Sequence, residues 1–418
     1  MSSVTLEFLQ DLLKIDYPDV TVQDFEGAPG SKRGDNYTSM VYRITLKGFK
    51  KDSERTDPWT GSIIYKCLPE STLRRNTFKS DELFCNEVAF YTKIWPKLSS
   101  FQDHWNLANP FKGIPKCYLA QNDLVVLKDL KELGFVMPDR QQGLSVEQCY
   151  SVLKNLAQFH ALSLAMKCHS PEEFYELLNI QDGISEVFFV SKNEEYYRSY
   201  YIQATQNAIS MVAEELKDSS GKDKYLDKFK SFCSEDTFFR SMVDMVSPRE
   251  PFAVICHGDC WTNNLQFRYK DGEIAEMYIV DFQLARYASP ALDLCYLIYL
   301  CLDRHQRADH VASLLDYYTD ELYERVVAMG GSAIFDRDTL ASMIQDEFRN
   351  SSRFGLGTAL DMYPIMTCDS DEAPNVYQEK ETEANSSEES AKPVWTSNAV
   401  CRKKMTDLVV ELVDQGLL

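Results

Sequence analysis

Between about Val20 and Leu130 the apolar residues fall in short β-branched and aromatic blocks; beyond Leu130 they recur mostly at helical spacing. "SMVYRITL" (39–46), "GSIIYKCL" (61–68) and "DLVVL" (123–127) read as strands. "EGAPGSKRGDNY" (26–37), rich in glycine and small polar residues, predicts a loop. Leu6, Leu9, Leu12 and Leu13 predict an N-terminal helix, and Leu83, Phe84, Val88 and Tyr91 predict another from about Ser80 to Trp95. Ser145 and Gln148 form a capping box for a helix to about Met166. Further helices are predicted near 195–217, 291–302, 309–328 and 338–352, with a last one ending in "LVVELVDQGLL".

Composition narrows the picture. A chain of 418 residues is too long for one compact core and suits two lobes. A net charge of −20 argues against a nucleic-acid partner, since phosphate backbones are held by clustered Lys and Arg. The 12 cysteines never form a CxxC pair, and Cys67, Cys256, Cys295 and Cys301 sit in apolar stretches, which fits buried thiols in a reducing compartment. The N-terminus lacks the basic start and apolar block of a signal peptide. The longest apolar run, "PALDLCYLIYLCL", is interrupted by Asp293 and is too short to span a bilayer. A cytoplasmic protein with no membrane partner is expected. The acidic segment 368–393 reads as a solvated mobile loop without chemistry.

Candidate chemistry concentrates in "HGDCWTNN" (257–264) and the "LQFRYKDGEIAEMYIVDFQ" that follows it. Asp271-Gly272 is a two-residue hairpin signal, and counting outward from it sets Ile279 opposite Asn264. Asp281 then emerges at the same end of the hairpin as Asn264, and Asp259 lies in the loop entering that end. Two carboxylates so close repel unless a cation or proton joins them. Oxygen donors from Asp and Asn suit magnesium, and the set matches a phosphoryl-transfer centre in which one Asp takes the proton of an attacking hydroxyl. Upstream, Lys66 shares a strand face with Ile64 and Leu68, and Glu87 falls inside the apolar helix stripe. Each buried charge needs a partner, so the two are expected to pair, with Lys66 reaching the α- and β-phosphates. The loop "GSKRGDNYTS" (30–39) could cover the phosphates with its backbone N–H groups.

"HGDCWTNN", "YIVDFQ", "RGDNYTS", "YKCLPE", "CNEVAFYTKIWP", "KDLKELGF" and "LAQFHALS" together resemble the ecdysteroid kinase-like family of the choline kinase and aminoglycoside phosphotransferase group, over essentially the whole chain. The resemblance implies an α+β, bilobal protein-kinase-like fold. A small N-lobe (1–128) would carry an antiparallel sheet and a helix, and a larger, mainly helical C-lobe (129–418) the catalytic loop. It implies an ATP- and magnesium-dependent kinase acting, as a monomer, on the hydroxyl of a small molecule, an ecdysteroid or similar apolar alcohol. Asp259 would be the catalytic base, Asn264 and Asp281 the magnesium ligands, and Lys66 and Glu87 the phosphate-anchoring pair. Gly34, Asp35, Asn36 and Ser39 would lie over the phosphates, and the segment from Leu127 through Lys128 and Asp129 to Leu130 would hold adenine through its backbone. The family usually has Glu where this chain has Lys128, which puts any role of that side chain in doubt.

Other readings stand beside this one. Kinases of xenobiotic or glycoside alcohols, or of choline-like alcohols, fit the same motifs. A protein kinase is disfavoured, because Gly258 and Gln283 replace the Arg of H-R-D and the Gly of D-F-G, and no A-P-E follows. A pseudokinase would require a missing key residue. A hydrolase built on His257 and Asp259 leaves Lys66 and Glu87 unexplained. His257 reads as shaping the loop, Asp293 as supporting it, and His160 as a satisfied core histidine. Trp261, Phe354 and Tyr363 could face an apolar acceptor, with core packing the default for the last two.

Overall fold

The computed structural model describes residues 4–32, 38–52, 55–331, 336–369 and 396–418. Helix α1 (Leu6–Leu13) is capped by Thr5, whose hydroxyl accepts the N–H of Phe8. Strands β1 (Val20–Pro29), β2 (Met40–Lys51) and β3 (Thr56–Cys67) run antiparallel. After α2 (Thr72–Thr77), α3 (Ser80–Ala89) and α4 (Trp95–His104), strands β4 (Cys117–Gln121) and β5 (Leu124–Lys128) complete a five-stranded antiparallel sheet of order β1-β2-β3-β5-β4. Alternation along β3 explains its two faces. Ile63 and Tyr65 pack with Leu9 and Leu13 of α1, Val20, Ile44 and Val126, whereas Ile64 and Lys66 face a cavity on the other side.

The rest of the chain is mainly helical. It comprises β6 (Phe135–Val136), α5 (Val146–His169), α6 (Pro171–Leu178), α7 (Glu194–Glu215), α8 (Lys222–Phe232) and α9 (Phe238–Val246). There follow β7 (Val254–Cys256), β8 (Leu265–Lys270), β9 (Glu273–Ile279), β10 (Arg286–Ala288), α10 (Ala291–Cys301), α11 (Arg304–Ala328), α12 (Arg337–Thr367) and α13 (Ala399–Asp414). Every residue of α10 is buried, consistent with its apolar run, and α10 lies against α12. No described helix is long and apolar enough to cross a membrane. All 12 cysteines are free thiols.

Four sequence expectations change. The predicted loop begins late, because β1 runs to Pro29 and pairs with Tyr42. The hairpin sets Leu265, not Asn264, opposite Ile279, since a bulge near Arg268 adds one residue to β9. Asn264 still meets the strand end, its carbonyl accepting the N–H of Val280 at 2.9 Å. Helix α11 starts at Arg304 rather than 309, behind a capping box made by Asp303 and Gln306. Helix α12 continues past 352 to Thr367. Its glycines do not break it but permit close packing: a Cβ on Gly355 would lie 2.4 Å from the Tyr299 ring, and one on Gly357 equally near the Met242 sulfur. Gly34, Asp35 and Asn36, and the acidic segment from 370 to 393, lie outside the described residues.

Helix α3 anchors the sheet to the helical part. One π turn, Phe90–Ile94, continues it, and Phe90 stacks on Phe282 with ring centroids 3.7 Å apart and planes 4° from parallel. Such a pair contributes about 0.5–1.5 kcal/mol beyond its buried area. The Asn86 amide donates to the carbonyls of Gln283 (2.9 Å) and Ala285 (2.8 Å). The C-terminal helix is held differently: buried Arg307 on α11 donates to Glu411 on α13 at 2.7 and 2.9 Å, and to the Leu302 carbonyl at 2.5 Å. Removing one partner of such a pair strands a buried charge. Glu411→Ala is therefore expected to lower stability by about 3–5 kcal/mol in a denaturant midpoint measurement; a loss below ~1 kcal/mol would show that α13 does not depend on this pair.

Candidate active site

The loop 257–264 leaves β7 through a glycine that its geometry demands. Gly258 has φ +87°, and a Cβ there would sit 2.0 Å from the Leu284 carbonyl oxygen. Both N–H groups at the turn are taken by one carboxylate. Asp293, from the first turn of α10, accepts the N–H of His257 at 2.7 Å and of Gly258 at 2.8 Å. Burial pushes the Asp293 pKa up, but His160, 3.1 Å away, and these donors bring it below the ordinary carboxylate value, so it stays ionised. His160 also bonds the Tyr318 hydroxyl at 2.8 Å.

His257 joins two functional segments. The Asp259 N–H donates to its Nδ1 at 3.2 Å, which leaves Nε2 protonated and donating to the Val280 carbonyl at 3.0 Å. Burial lowers its pKa and keeps the ring neutral. His160, Cys256 and Asp293 bring possible ligand atoms within 4.8 Å of one another. Their arrangement is accounted for by hydrogen bonding, since His160 and Asp293 are each engaged as described and burial holds the Cys256 thiol protonated.

The Asp259 carboxylate is fixed at both oxygens. The Tyr296 hydroxyl, on α10, donates to Oδ1 at 2.6 Å, and the Asn264 amide donates to Oδ2 at 2.8 Å. Burial raises the Asp259 pKa to about 6 despite these donors, and nearby Asp281 adds to the rise. With its nitrogen committed to Asp259, Asn264 has its amide oxygen left to coordinate.

Asp281 adopts φ +70°, a left-handed conformation uncommon outside glycine, costing of order 1–3 kcal/mol. Its carboxylate meets Lys66: Nζ lies 2.7 Å from Asp281 Oδ1 and 2.6 Å from Glu87 Oε2. Burial alone would lower the Lys66 pKa, but Asp281 and Glu87 reverse the effect and hold the ammonium charged. Glu87 is pushed up to about 7 by burial, with Lys66 opposing.

Two cavities meet here. One, of about 530 Å³, is lined by Val41, Ile64, Lys66, Glu87, Leu127 and Phe135, together with Lys128, Asp129 and Leu130. The other, of about 380 Å³, is lined by Asp259, Trp261 and Tyr296 at one end and by aromatic side chains of α7 and α12. Asn264 and Asp281 line both.

Of the residues singled out from sequence, Lys66, Glu87, Asp259, Asn264 and Asp281 therefore converge, with His257 and Asp293 behind them. Trp261 and Phe354 line the second cavity. Tyr363 does not: it is buried, and its hydroxyl donates to the Tyr299 carbonyl at 2.6 Å, because it lies on the face of α12 turned to α10. Ser39 is buried and lines neither cavity. The Asp129 side chain is used within the protein. Burial would raise its pKa, but the Arg43 guanidinium (2.5 Å) and Ser62 hydroxyl (2.6 Å) lower it. Sequence reading missed Tyr296 and Arg286. Tyr296 follows Asp293 by three, the spacing that sets both on one helix face toward the loop. Arg286 is buried in the second cavity, 3.0 Å from Glu186.

A curated protein of Caenorhabditis elegans, the uncharacterized oxidoreductase dhs-27, is 23% identical over 324 residues, which cover 71% of this chain. The chain spans 35% of the length of that relative. Among solved structures, an ethanolamine kinase of Plasmodium vivax aligns with 98% of this chain and 88% of its own at 10% identity and a TM-score of 0.43. A ternary complex of streptomycin, ATP and APH(2")-IIa aligns with 88% of this chain and 93% of its own at 11% identity and a TM-score of 0.35. The model of the ecdysteroid kinase-like family matches residues 33–330, well over half of the sequence, and the chain belongs to that family.

Proposed function

We propose that the protein transfers the γ-phosphate of ATP to a hydroxyl of a small apolar alcohol, with an ecdysteroid-like acceptor as the leading class. The observation that carries this reading is the shared wall: Asn264 and Asp281 border both the cavity that holds Lys66 and the one that holds Asp259. The larger cavity suits the nucleotide, with Ile64, Val41 and Leu127 offering apolar surface for a base and Lys66 a charge for phosphate. Its oxygen-only donors, Asn264 and Asp281, suit magnesium, which when bound would neutralise charge on the phosphates.

In the transfer, Asp259 accepts the proton of the acceptor hydroxyl as its oxygen forms a bond to the γ-phosphorus and the bond to the β-phosphate oxygen breaks, releasing ADP. Tyr296 and Asn264 hold the carboxylate in one orientation, so little reorganisation accompanies proton transfer. A pKa near 6 leaves Asp259 mostly ionised at neutral pH yet basic enough to receive the proton. Lys66, charged and fixed by Glu87, binds phosphate oxygens.

With labelled ATP and a panel of small alcohols, transfer is expected to require magnesium and to stop on chelation. Asp259→Asn is expected to lower kcat by about 10²–10⁴ with ATP affinity retained. Lys66→Met should weaken nucleotide binding and transfer together, read by calorimetry and turnover. Transfer that persists at the wild-type rate in either variant overturns the assigned roles.

A further inference from the structure

The acceptor cavity contains a carboxylate that the transfer itself does not use. Asp361 projects from α12 into the cavity, where the Tyr200 hydroxyl donates to its Oδ1 at 2.8 Å and the Tyr201 hydroxyl lies 3.4 Å from its Oδ2. Among the described residues it has no ion-pair partner. A carboxylate bonded by phenols still has acceptor positions to spare, and Asp361 lines the cavity.

Its place along the helix sets its distance from the catalytic loop. Phe354, also on α12, sits 5.8 Å from the Arg286 guanidinium, which in turn donates to the Gly258 carbonyl at the catalytic loop. Asp361 is seven residues further on, about two helical turns or ~10 Å along the axis. The cavity walls also carry Phe188, Phe189, Tyr197, Met362 and Ile365.

Resting on the phosphotransferase reading above, we propose that Asp361, with Tyr200 and Tyr201, is a specificity anchor for a second hydroxyl of an uncharged, rigid apolar acceptor, distant from the hydroxyl that is phosphorylated. A hydroxyl satisfies the cluster from both sides: it donates to the carboxyl and accepts from a phenol or from the protonated acid. Burial raises the Asp361 pKa to about 7, so both forms are populated near neutrality, and an alcohol pairs with either. The apolar and aromatic walls of the cavity suit a fused carbocyclic skeleton.

The experiment compares two steroid probes of one skeleton, a monoalcohol and a polyol with hydroxyls at both ends, together with choline, in the wild type, Asp361→Leu and Asp361→Asn. The wild type is expected to favour the polyol in kcat/KM by about tenfold, the worth of one hydrogen bond to a buried carboxyl. Asp361→Leu is expected to erase that preference through KM, and Asp361→Asn, which keeps an acceptor oxygen and the shape, to recover most of it. Recovery in the Asn variant separates recognition from damage to the fold. A polyol preference unchanged in Asp361→Leu overturns the anchor, as does choline emerging as the acceptor whose KM depends on residue 361. ATP turnover with no phosphate on any alcohol overturns the phosphotransferase reading instead.

Discussion

One ammonium group, that of Lys66, holds the candidate site together. It sits between Glu87 and Asp281, so three segments far apart in sequence share a single buried charge. None of the three could be buried alone without a large desolvation cost. The remaining contacts between α3 and the segment after Asp281 follow from this junction. The Asn86 amide holds the carbonyls of Gln283 and Ala285, and Phe90 stacks on Phe282, so the helix is fastened along the same stretch that carries the carboxylate. A phosphate arriving at Lys66, as proposed, would meet an ammonium already fixed in place, with little ordering left to oppose binding.

A second carboxylate solves a different problem. The loop 257–264 must turn sharply inside the core, where its N–H groups have no water to bond. Asp293 takes two of them, and His160 and Tyr318 extend the network into α5 and α11. His257 then links Asp259 to Val280. The orientation of the proposed base is thus inherited from a chain of hydrogen bonds ending on two long, well-packed helices.

Much of this was legible in the sequence. Strands β2, β3 and β5 and most helices follow from hydrophobic period, and the Asp271-Gly272 turn located the hairpin that brings Asn264 and Asp281 together. Buried charge was the most informative signal, because Lys66 and Glu87 had to answer each other. What escaped was set by packing at a distance. No local pattern announces the bulge that shifts the hairpin by one residue, or the packing of Tyr299 and Met242 on Gly355 and Gly357 in the part of α12 beyond the predicted 352. Tyr363 lies one helical step from the cavity face, a difference of about 100° in direction that spacing around a glycine pair did not resolve. Tyr296 and Arg286 were hidden among residues whose apolar or strand character sufficed to explain them.

The two glycines also govern the second cavity. Because Gly355 and Gly357 carry no side chain, α12 lies flush against α10 and α9, and the face of the helix between them, with Phe354, Thr358 and Asp361, becomes the floor on which an acceptor would rest. The level of that floor is set from its flanks, by Tyr299 and Met242, which do not line the cavity. A methyl group at either position would displace the floor, changing the room for a bulky skeleton while leaving Lys66, Asp259 and Asp281 in place. The packing around α12 would therefore set how large an acceptor fits, separately from the chemistry at the seam.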